Sequence, residues 1–403
     1  MHTSRNGLKR AILALMPLYA AVAAMAATAA MADGVVVFEQ RPIPPGVPLE
    51  GQAEGAEHYG YRIPSLCVTE IGTVLAFSER RIGLHDHAQN DIVLKRSTDG
   101  GRTWGGEIIA VEDGMHSIND PLTVQLEGGR ILLMHARFPY GRHAGASGWI
   151  KEAEPGYDDP ALNVLTFISH SDDDGQTWSA PRDISRQVKP PHWINANTPG
   201  QMIQLTIGAH RGRIITGLWG AVPTETGGGW EVVATYSDDG GETWQRTEPL
   251  NDVSANGYPN ECQVAEASNG DIVLISRNQG GDTYRKKAIS SDGGVTWSEI
   301  DIDRTLPSVA CMGSVIKGPA ARDGSWDLIA SFPSAQGRRD GQIAVSGDHG
   351  QTWEIRKVIA GGFAYSALQL APGGNDLLCL YETAGYKNLT LLTIPLEEIT
   401  ARE

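Results

Sequence analysis

An eight-residue pattern, S-x-D-x-G-x-T-W, occurs five times and constrains the fold of this chain more than any other feature. The copies, called boxes below, span residues 97–104, 171–178, 237–244, 290–297 and 346–353. In each box Asp can bond the backbone that follows it, Gly supplies a positive φ, and Thr-Trp resumes an extended strand with an apolar anchor. A calcium loop is the alternative, but the box lacks the spread of oxygen ligands that such a loop needs. Each box is therefore predicted to be a hairpin turn.

A second repeat consists of an apolar strand, a Gly-containing turn and another apolar strand. Its six copies span residues 63–78, 121–136, 202–219, 262–276, 313–332 and 365–381. Hairpin and box together make a unit of four antiparallel strands, with the box between strands 3 and 4. Radial repetition of such units makes a β-propeller. The sequence thus predicts an all-β fold, a six-bladed β-propeller of four-stranded antiparallel blades with five box turns.

The sixth hairpin has no box after it. Residues 389–394 are expected to supply its third strand, and residues 34–40 its outer strand. Closing the ring with both ends of the domain removes an exposed sheet edge. Residues 33–403 are accordingly predicted to be a single propeller domain.

The first 32 residues have the pattern of a cleaved signal peptide. Arg5, Lys9 and Arg10 precede an apolar run at 11–29, and Ala30-Met31-Ala32 is an A-x-A-type cleavage site. An uncleaved transmembrane anchor is the alternative. The expected location is secreted or periplasmic, with no membrane insertion once the leader is removed.

Charge and cysteine content narrow the choice of partners. Removal of the leader takes Lys+Arg from 33 to 30 against 48 Asp+Glu, a net charge of about −18. This charge disfavours nucleic acid and anionic membranes as partners, although a local arginine cluster can still bind a small anion. No two cysteines form a C-x-x-C pair, so a zinc or redox motif is not expected. Buried free thiols are predicted, with one disulfide as the alternative.

Propeller topology places many of the polar residues at one mouth of the ring. The beginning of strand 1, the end of strand 2 and the loop between strands 2 and 3 lie on the face opposite the boxes. The polar residues at these places are Arg62, Arg81, Asp86, Asp120, Glu261, Arg277, Arg338, Tyr365 and Glu382. Singly, each is explained as solvated surface or, for Tyr365, as packing. Together they predict a site for a small anion, which topology alone does not identify.

At these positions the chain resembles the exo-α-sialidases (neuraminidases) of the bacterial and animal type. Tyr61-Arg62-Ile63-Pro64 is similar to the F/Y-R-I-P motif, and the boxes follow it. Phe363-Ala364-Tyr365-Ser366 is similar to the nucleophile motif, and Tyr381-Glu382 to a late glutamate. His85-Asp86-His87-Ala88 resembles the loop that carries the acid/base Asp, with Asp91 as a second candidate. Gly337-Arg338-Arg339-Asp340 resembles the segment of the third arginine, for which Arg338 is preferred over Arg339.

The resemblance implies three catalytic residues. Tyr365 would be the nucleophile, Glu261 the base that activates it, and Asp86 the acid/base. A sialic acid carries a carboxylate on its anomeric carbon, so an approaching Asp or Glu nucleophile would be repelled, whereas a neutral phenol is not. Sialidases with a Tyr nucleophile are a recognised exception among glycosidases.

The resemblance also implies how the substrate is held. Arg62, Arg277 and Arg338 would bind the substrate carboxylate with charge-assisted hydrogen bonds. Glu382 would orient Arg62, and the remaining pair, Arg81 and Asp120, would contact the 4-position of the sugar. Trp149, Trp193 and Trp219 are candidates for the rest of the pocket, with core packing as the alternative. Neither a metal nor an organic cofactor is expected.

Three functions are consistent with this sequence. The first is a retaining exo-α-sialidase that releases terminal sialic acid from glycans. The second is a hydrolase of a related 2-keto sugar acid, such as deaminated sialic acid, or a trans-sialidase. The third is a non-catalytic propeller that binds glycans or proteins, for which Asp86, Glu261 and Tyr365 would not be needed together.

Overall fold

Strands account for about half of the residues that the computed structural model describes, which are 34–47, 56–86, 88–146, 148–223, 229–319 and 326–400. The predicted signal peptide lies outside these residues. In the first half of the chain the strands are β1 (Val35–Glu39), β2 (Arg41–Pro42), β3 (His58–Val68), β4 (Val74–Ile82), β5 (Asn90–Ser97), β6 (Ile108–Val111), β7 (Ser117–Gln125), β8 (Ile131–Phe138), β9 (Arg142–His143), β10 (Lys151–Glu152), β11 (Leu165–Ser171), β12 (Arg182–Asp183), β13 (Gly200–Gln201) and β14 (Ile203–Gln204).

The second half continues in the same way. Its strands are β15 (Ile214–Val222), β16 (Gly229–Ser237), β17 (Gln245–Arg246), β18 (Tyr258–Glu266), β19 (Ile272–Gln279), β20 (Tyr284–Ser290), β21 (Asp301–Pro307), β22 (Ser314–Lys317), β23 (Leu328–Phe332), β24 (Arg339–Ser346), β25 (Glu354–Gly362), β26 (Ser366–Leu370), β27 (Asp376–Glu382) and β28 (Asn388–Pro395). Two short helices, α1 (Ser185–Val188) and α2 (Glu397–Thr400), and a 3₁₀ turn (Ala384–Tyr386) accompany them. Among the described residues, no helix has the length and apolar character needed to cross a membrane.

All six predicted hairpins are present. They are the antiparallel pairs β3–β4, β7–β8, β14–β15, β18–β19, β22–β23 and β26–β27. The predicted closure is also confirmed, since β28 pairs with β27 on one side and with the N-terminal β1 on the other. The fold is all-β with a β-propeller arrangement.

The number of separate blades differs from the prediction. Four sheets have four strands each, namely β14–β17, β18–β21, β22–β25 and the sheet of β26, β27, β28 and β1. The strands expected in the first two blades share one ten-stranded sheet, because Asn90 of β5 pairs in parallel with Ser117 of β7. This pairing links two antiparallel halves of the sheet. One half contains β3, β4, β5 and β6, and the other contains β7, β8, β11 and β12. The prediction of six separate blades is therefore wrong. The described residues form four separate four-stranded blades, beside this ten-stranded sheet.

The first strands of the hairpins form a closed ring. β3 packs between β26 and β7, β13 and β14 bridge β7 to β18, and β22 lies between β18 and β26. Apolar clusters fill the spaces between successive sheets. All four cysteines, Cys67, Cys262, Cys311 and Cys379, are buried free thiols. The sheets are thus held to one another by side-chain packing around a central axis.

The boxes are turns, as predicted, and they share one hydrogen-bond pattern. In the box at 237–244, Ser237 Oγ donates to Asp239 Oδ1 (2.8 Å) and accepts from the backbone N–H of Gly241 (2.9 Å). Thr243 donates its backbone N–H (2.8 Å) and its hydroxyl (2.6 Å) to the Asp239 carboxylate. The other four boxes repeat these bonds. A calcium ion is not needed to explain the conserved shape of the turn.

Four of the boxes also join their own sheet to the preceding one, and the box at 171–178 joins the two halves of the ten-stranded sheet. Trp244 lies in the cluster that contains Leu132 and Met134 of β8, and the other box tryptophans occupy equivalent clusters. The second glycine of the box lies against the same neighbour. A Cβ on Gly241, whose φ is +92°, would be 2.8 Å from Cδ1 of Leu132. Gly is therefore required here both by conformation and by the closeness of the sheets.

Substitutions in one turn separate these two requirements. We expect Gly240→Ala, at φ +74° with open space around its Cβ, to lower the free energy of unfolding by about 1–2 kcal/mol through backbone strain. Gly241→Ala should lower it by about 1–3 kcal/mol more, because it also crowds Leu132. Urea denaturation of both variants measures the difference. Equal losses would show that contact with the preceding sheet contributes nothing.

Candidate active site

A cavity of about 350 Å³ lies at the ends of the inner strands away from the boxes. Eight of the nine residues predicted from the sequence line it: Arg62, Arg81, Asp86, Asp120, Glu261, Arg277, Arg338 and Tyr365. The ninth, Glu382, is completely buried and binds Arg62. Arg81 follows the predicted hairpin at 63–78, which would place it in the loop between strands 2 and 3, but it lies on β4. Residues separated by up to 320 positions in the chain thus meet in one place.

Irregular strand beginnings aim several of these side chains into the cavity. The registers of β3, β7 and β18 shift between Arg62 and Ser65, between Asn119 and Leu122, and between Pro259 and Cys262. Two of the shifts contain a non-glycine residue with positive φ, Ile63 at 61° and Asp120 at 59°. Such conformations store strain and are common at functional sites. Each bulge turns the strand so that its polar residue faces the ring opening.

A buried ion pair anchors the first arginine. Arg62 Nε and Nη2 each donate to one oxygen of the Glu382 carboxylate at 3.0 Å. Glu382 also accepts from the backbone N–H groups of Ile63 (3.0 Å) and Tyr365 (3.3 Å). Burial lowers the pKa of Arg62, but Glu382 outweighs this effect and raises it. One carboxylate therefore fixes the guanidinium and the backbone on either side of the cavity.

Tyr365 forms a compact group with Glu261 and Arg277. The phenol hydroxyl donates to Glu261 Oε1, while Arg277 Nη1 donates to Glu261 Oε2 (2.8 Å) and to the phenol oxygen (3.1 Å). Burial and the Glu261 charge raise the pKa of Tyr365 well above its usual value. The phenol is therefore neutral, and its proton is already directed at a carboxylate that can accept it.

Two further arginines flank the Tyr365 ring. The guanidinium carbons of Arg62 and Arg338 each lie 5.3 Å from the ring centroid. Arg338 Nη1 also donates to the hydroxyl of Tyr386 (3.1 Å), whose ring lies 4.3 Å from Arg62. Arg339, the alternative third arginine, has a 62% exposed side chain and bonds Asp340 (2.7 Å). The geometry thus places Arg338, and not Arg339, beside Arg62 and Arg277.

Asp86 faces two arginines. Its Oδ1 lies 2.5 Å from Arg81 Nη1 and 3.5 Å from Arg62 Nη1. Desolvation opposes ionisation of Asp86, but Arg81 and Arg62 together hold its pKa well below the usual range. The second candidate, Asp91, bonds Arg80 (2.6 Å) and does not line the cavity. Asp86 is therefore the acid/base candidate that reaches the site.

Glu79 and Asn197 organise the neighbouring wall and were missed in the sequence. Glu79 is fully buried, accepts from Arg81 Nε (2.7 Å) and from the backbone N–H of Asp120 (2.7 Å). Asn197 Nδ2 donates to Asp120. Burial and the Glu79 and Glu261 charges raise the pKa of Asp120 well above its usual value. The same surroundings therefore favour the neutral form of the Asp120 carboxyl.

A sequence signal for Glu79 did exist. Ser78-Glu79 and Ser276-Arg277 occupy the same position at the end of strand 2 in two sheets. Ser78 Oγ donates to the carbonyl of Arg62 (2.8 Å), and Ser276 Oγ donates to the carbonyl of Asn260 (3.1 Å). Each serine thus supports the bulge on the neighbouring strand. The residue after each serine, Glu79 or Arg277, belongs to the site, so the position of Ser78 in the sequence could have identified Glu79.

Aromatic residues line the other side of the cavity. They are Phe138, Trp219 and Trp230, with His143 stacked on Phe138 at 4.8 Å. Of the three tryptophan candidates, only Trp219 is among them. Trp193 is buried in the core, and Trp149 is 51% exposed and packs on Tyr140. The described residues contain no group of His, Cys, Asp and Glu that could hold a metal ion.

The fold and the site define a class of protein, a β-propeller with an arginine-rich pocket beside a buried Tyr–Glu pair. The BNR repeat-like domain family matches residues 72–377. The chain is 36% identical to a sialidase of Micromonospora viridifaciens, covering 90% of this chain and 57% of the relative. It is 31% identical to a sialidase of Paraclostridium sordellii, covering 82% and 84%. The structure of the Hadza microbial sialidase Hz136 is similar, with a TM-score of 0.71 and 30% identity, covering 84% of this chain and 66% of that one.

These similarities establish the family. The chain belongs to the BNR-repeat sialidase family. It spans 57% of the Micromonospora relative and 66% of Hz136.

A substitution at Glu382 tests how far the site depends on the buried ion pair. We expect Glu382→Gln to lower the free energy of unfolding by about 3–5 kcal/mol, because Arg62 would keep a buried charge without its partner. Glu354→Gln is the control, since Glu354 pairs with Arg356 through a 55% exposed side chain and should change stability by at most about 1 kcal/mol. Urea denaturation measures both. Similar losses in the two variants would contradict the anchoring role of Glu382.

Proposed function

We propose that this protein is a retaining exo-α-sialidase that hydrolyses terminal sialic acid from glycoconjugates, with Tyr365 as its nucleophile. The observation that carries the proposal is the group formed by Tyr365, Glu261 and Arg277 at the cavity. A binding site for an anion requires the arginines alone. A buried phenol hydrogen-bonded to a carboxylate is the arrangement that covalent catalysis requires, because the nucleophile needs an adjacent base.

The substrate carboxylate would be bound by Arg62, Arg277 and Arg338. The three guanidiniums surround Tyr365, two beside its ring and one at its hydroxyl. A carboxylate held by them therefore brings the anomeric carbon next to the phenol oxygen. Arginine is suited to this task because its planar donors match the two carboxylate oxygens.

The reaction would proceed in two displacements. In the first, Tyr365 attacks the anomeric carbon as its proton passes to Glu261, and Asp86 protonates the departing glycosidic oxygen. In the second, Asp86 takes a proton from water, which attacks the same carbon, and Tyr365 leaves and regains its proton from Glu261. Two inversions give retention of configuration. Acid–base assistance of this kind contributes about 10²–10⁴-fold to the rate.

The charges around Tyr365 fit its role in these steps. The raised pKa of Tyr365 disfavours a free phenolate, so proton transfer to Glu261 has to accompany attack. Arg277 touches both partners and stabilises the charge wherever it lies between them. Arg81 and Asp120 would contact the 4-position of the sugar from the wall that Glu79 organises. The aromatic side is where the rest of the sugar and the aglycone would lie.

The proposal extends to location and blade number. Residues 1–32 would direct export and be removed, leaving a secreted or periplasmic enzyme that acts on sialylated glycans. The two halves of the ten-stranded sheet would act as separate blades in supplying site residues, Arg62 from one and Asp120 from the other. With the four separate sheets, this division gives a functional ring of six.

Removal of the phenol hydroxyl tests the nucleophile. We expect Tyr365→Phe to release a fluorogenic sialoside at least about 10²-fold more slowly than the wild type. Tyr381→Phe is a matched control, since Tyr381 of β27 stacks on Phe363 and does not line the cavity. It should retain the wild-type rate. A Tyr365→Phe variant with the rate of the wild type would remove Tyr365 from its role.

The deaminated analogue belongs in the same assay because the sequence left that substrate open. Faster release of the deaminated sugar would favour a hydrolase of a related 2-keto sugar acid. Release of neither sugar by the wild type would favour the glycan-binding propeller.

Paired substitutions of adjacent arginines test the third carboxylate ligand. Arg338→Lys should lower kcat/KM about 10–100-fold, because a hydrogen bond to a charged group contributes about 1.5–3 kcal/mol. Arg339→Lys should leave it unchanged, since Arg339 faces solvent and Asp340. Steady-state kinetics on one sialoside decides between them. Loss of activity in Arg339→Lys alone would reverse the assignment.

A further inference from the structure

The carboxylate of Asp86 and the guanidinium of Arg62 are in contact at the point where the substrate carboxylate would bind. Glu382 occupies Arg62 Nε and Nη2 from behind, so Nη1 is the nitrogen that faces Asp86, at 3.5 Å. Because Nη1 also lies on the cavity side, it is the nitrogen best placed for an anion that enters the cavity. Nη1 of Arg62 is therefore the hydrogen-bond donor for which two carboxylates compete, that of Asp86 and that of the substrate.

The surroundings of Asp86 explain why this contact affects its proton. The charged and titratable groups that face it are Arg62 of β3, Glu79 and Arg81 of β4, and His143 of β9. Arg81 is already bound by Glu79, at 2.7 Å from Nε and 2.6 Å from Nη2. Arg81 is the nearer and stronger of the two positive neighbours, and Arg62, which is itself paired with Glu382, adds to the charge that keeps Asp86 ionised. A carboxyl held in this way is a poor proton donor.

We propose that Asp86 and the carboxylate of the substrate compete for Nη1 of Arg62, and that substrate binding releases Asp86 from this arginine and makes it take up a proton. The proposal rests on the sialidase function proposed above. The substrate anion replaces one negative neighbour of Arg62 by another, so the buried Arg62–Glu382 pair is undisturbed. Asp86 loses a positive neighbour and gains a negative one, and both changes favour its acid form. Binding of the substrate thus moves Asp86 toward its acid form, which is the form that protonates the departing glycosidic oxygen.

The size of the effect follows from ordinary electrostatics. An arginine within about 4–6 Å lowers the pKa of a carboxyl by about 1–3 units. Loss of Arg62 as a neighbour should therefore raise the pKa of Asp86 by a similar amount. Between the lower pKa of the free site and the raised pKa of the complex, binding should be accompanied by uptake of up to one proton. Affinity should then tighten by up to about tenfold for each pH unit that the solution is lowered.

Calorimetric titration with 2,3-didehydro-2-deoxy sialic acid measures this uptake directly, because the analogue has the carboxylate but no leaving group. Titrations at about pH 4, close to the usual pKa of an Asp, in two buffers of different ionisation enthalpy give the number of protons bound. We expect the wild type to take up a measurable fraction of one proton and Asp86→Asn to lack that fraction, since an amide does not titrate. Asp91→Asn is the control, because Asp91 also pairs with an arginine, Arg80, but outside the cavity. It should match the wild type.

Equal proton uptake by the wild type and Asp86→Asn would overturn the proposed competition between Asp86 and the substrate carboxylate for Arg62. If Asp86→Asn does not fold, the pH dependence of the wild-type Kd replaces it, and a Kd that is flat between about pH 3.5 and 5, on either side of the usual Asp pKa, has the same meaning. The two proposals fail differently. If the protein hydrolyses a fluorogenic sialoside but binds the analogue without an Asp86-linked proton, the proposed competition is overturned and the sialidase function is retained. Absence of both hydrolysis and analogue binding would overturn the sialidase function.

Discussion

The interaction on which the site depends is the bidentate pair between Arg62 and Glu382. It joins the beginning of β3 to the end of β27, two strands that are remote in sequence but adjacent where the ring closes. Because Glu382 also accepts from the backbone of Ile63 and Tyr365, one carboxylate sets the position of an arginine, a bulge and the phenol. Displacement of this carboxylate would leave Arg62 charged and buried without a partner, which is strongly unfavourable. The same pairing that stabilises the closure therefore places the proposed nucleophile.

The remaining charges are arranged so that opposite signs alternate around the cavity. Glu79 holds Arg81, Glu261 holds Arg277, and Glu382 holds Arg62. Each arginine is thereby oriented in advance, which reduces the reorganisation that binding of an anion would otherwise require. Arg338 differs, since its described partners are the hydroxyl of Tyr386 and the ring of Tyr365 rather than a carboxylate. Its charge is therefore neutralised least, and an incoming carboxylate would be attracted most strongly on this side. The overall negative charge of the chain does not oppose this, because the field in a pocket is set by its nearest groups.

Much of this architecture could be predicted because each feature depends on local chemistry. The boxes were recognisable because Ser, Asp, Gly and Thr satisfy one another within eight residues, and the hairpins because alternation and turn residues are local as well. The face of each polar residue followed from strand order alone. The ten-stranded sheet could not be predicted, since it depends on a single parallel pairing between Asn90 and Ser117. No local pattern specifies how closely two neighbouring blades approach at that point.

Within the site, the difference between Asp86 and Asp91 shows where sequence reasoning ends. Both carboxylates lie near the end of the same hairpin, and both pair with an arginine of β4, yet Asp91 bonds Arg80 and Asp86 bonds Arg81. Successive residues of a strand point to opposite faces, so the parity of the arginine decides which carboxylate enters the cavity. Arg81 faces the cavity because it also donates a hydrogen bond to Glu79. Glu79 is fully buried and accepts from the backbone N–H of Asp120, in the bulge of β7. The acid/base candidate is thus selected by a buried glutamate that the motif itself does not contain, and its charge state is shared with the arginine that would bind the substrate. Orientation of the acid and recognition of the anion are in this way parts of one electrostatic network.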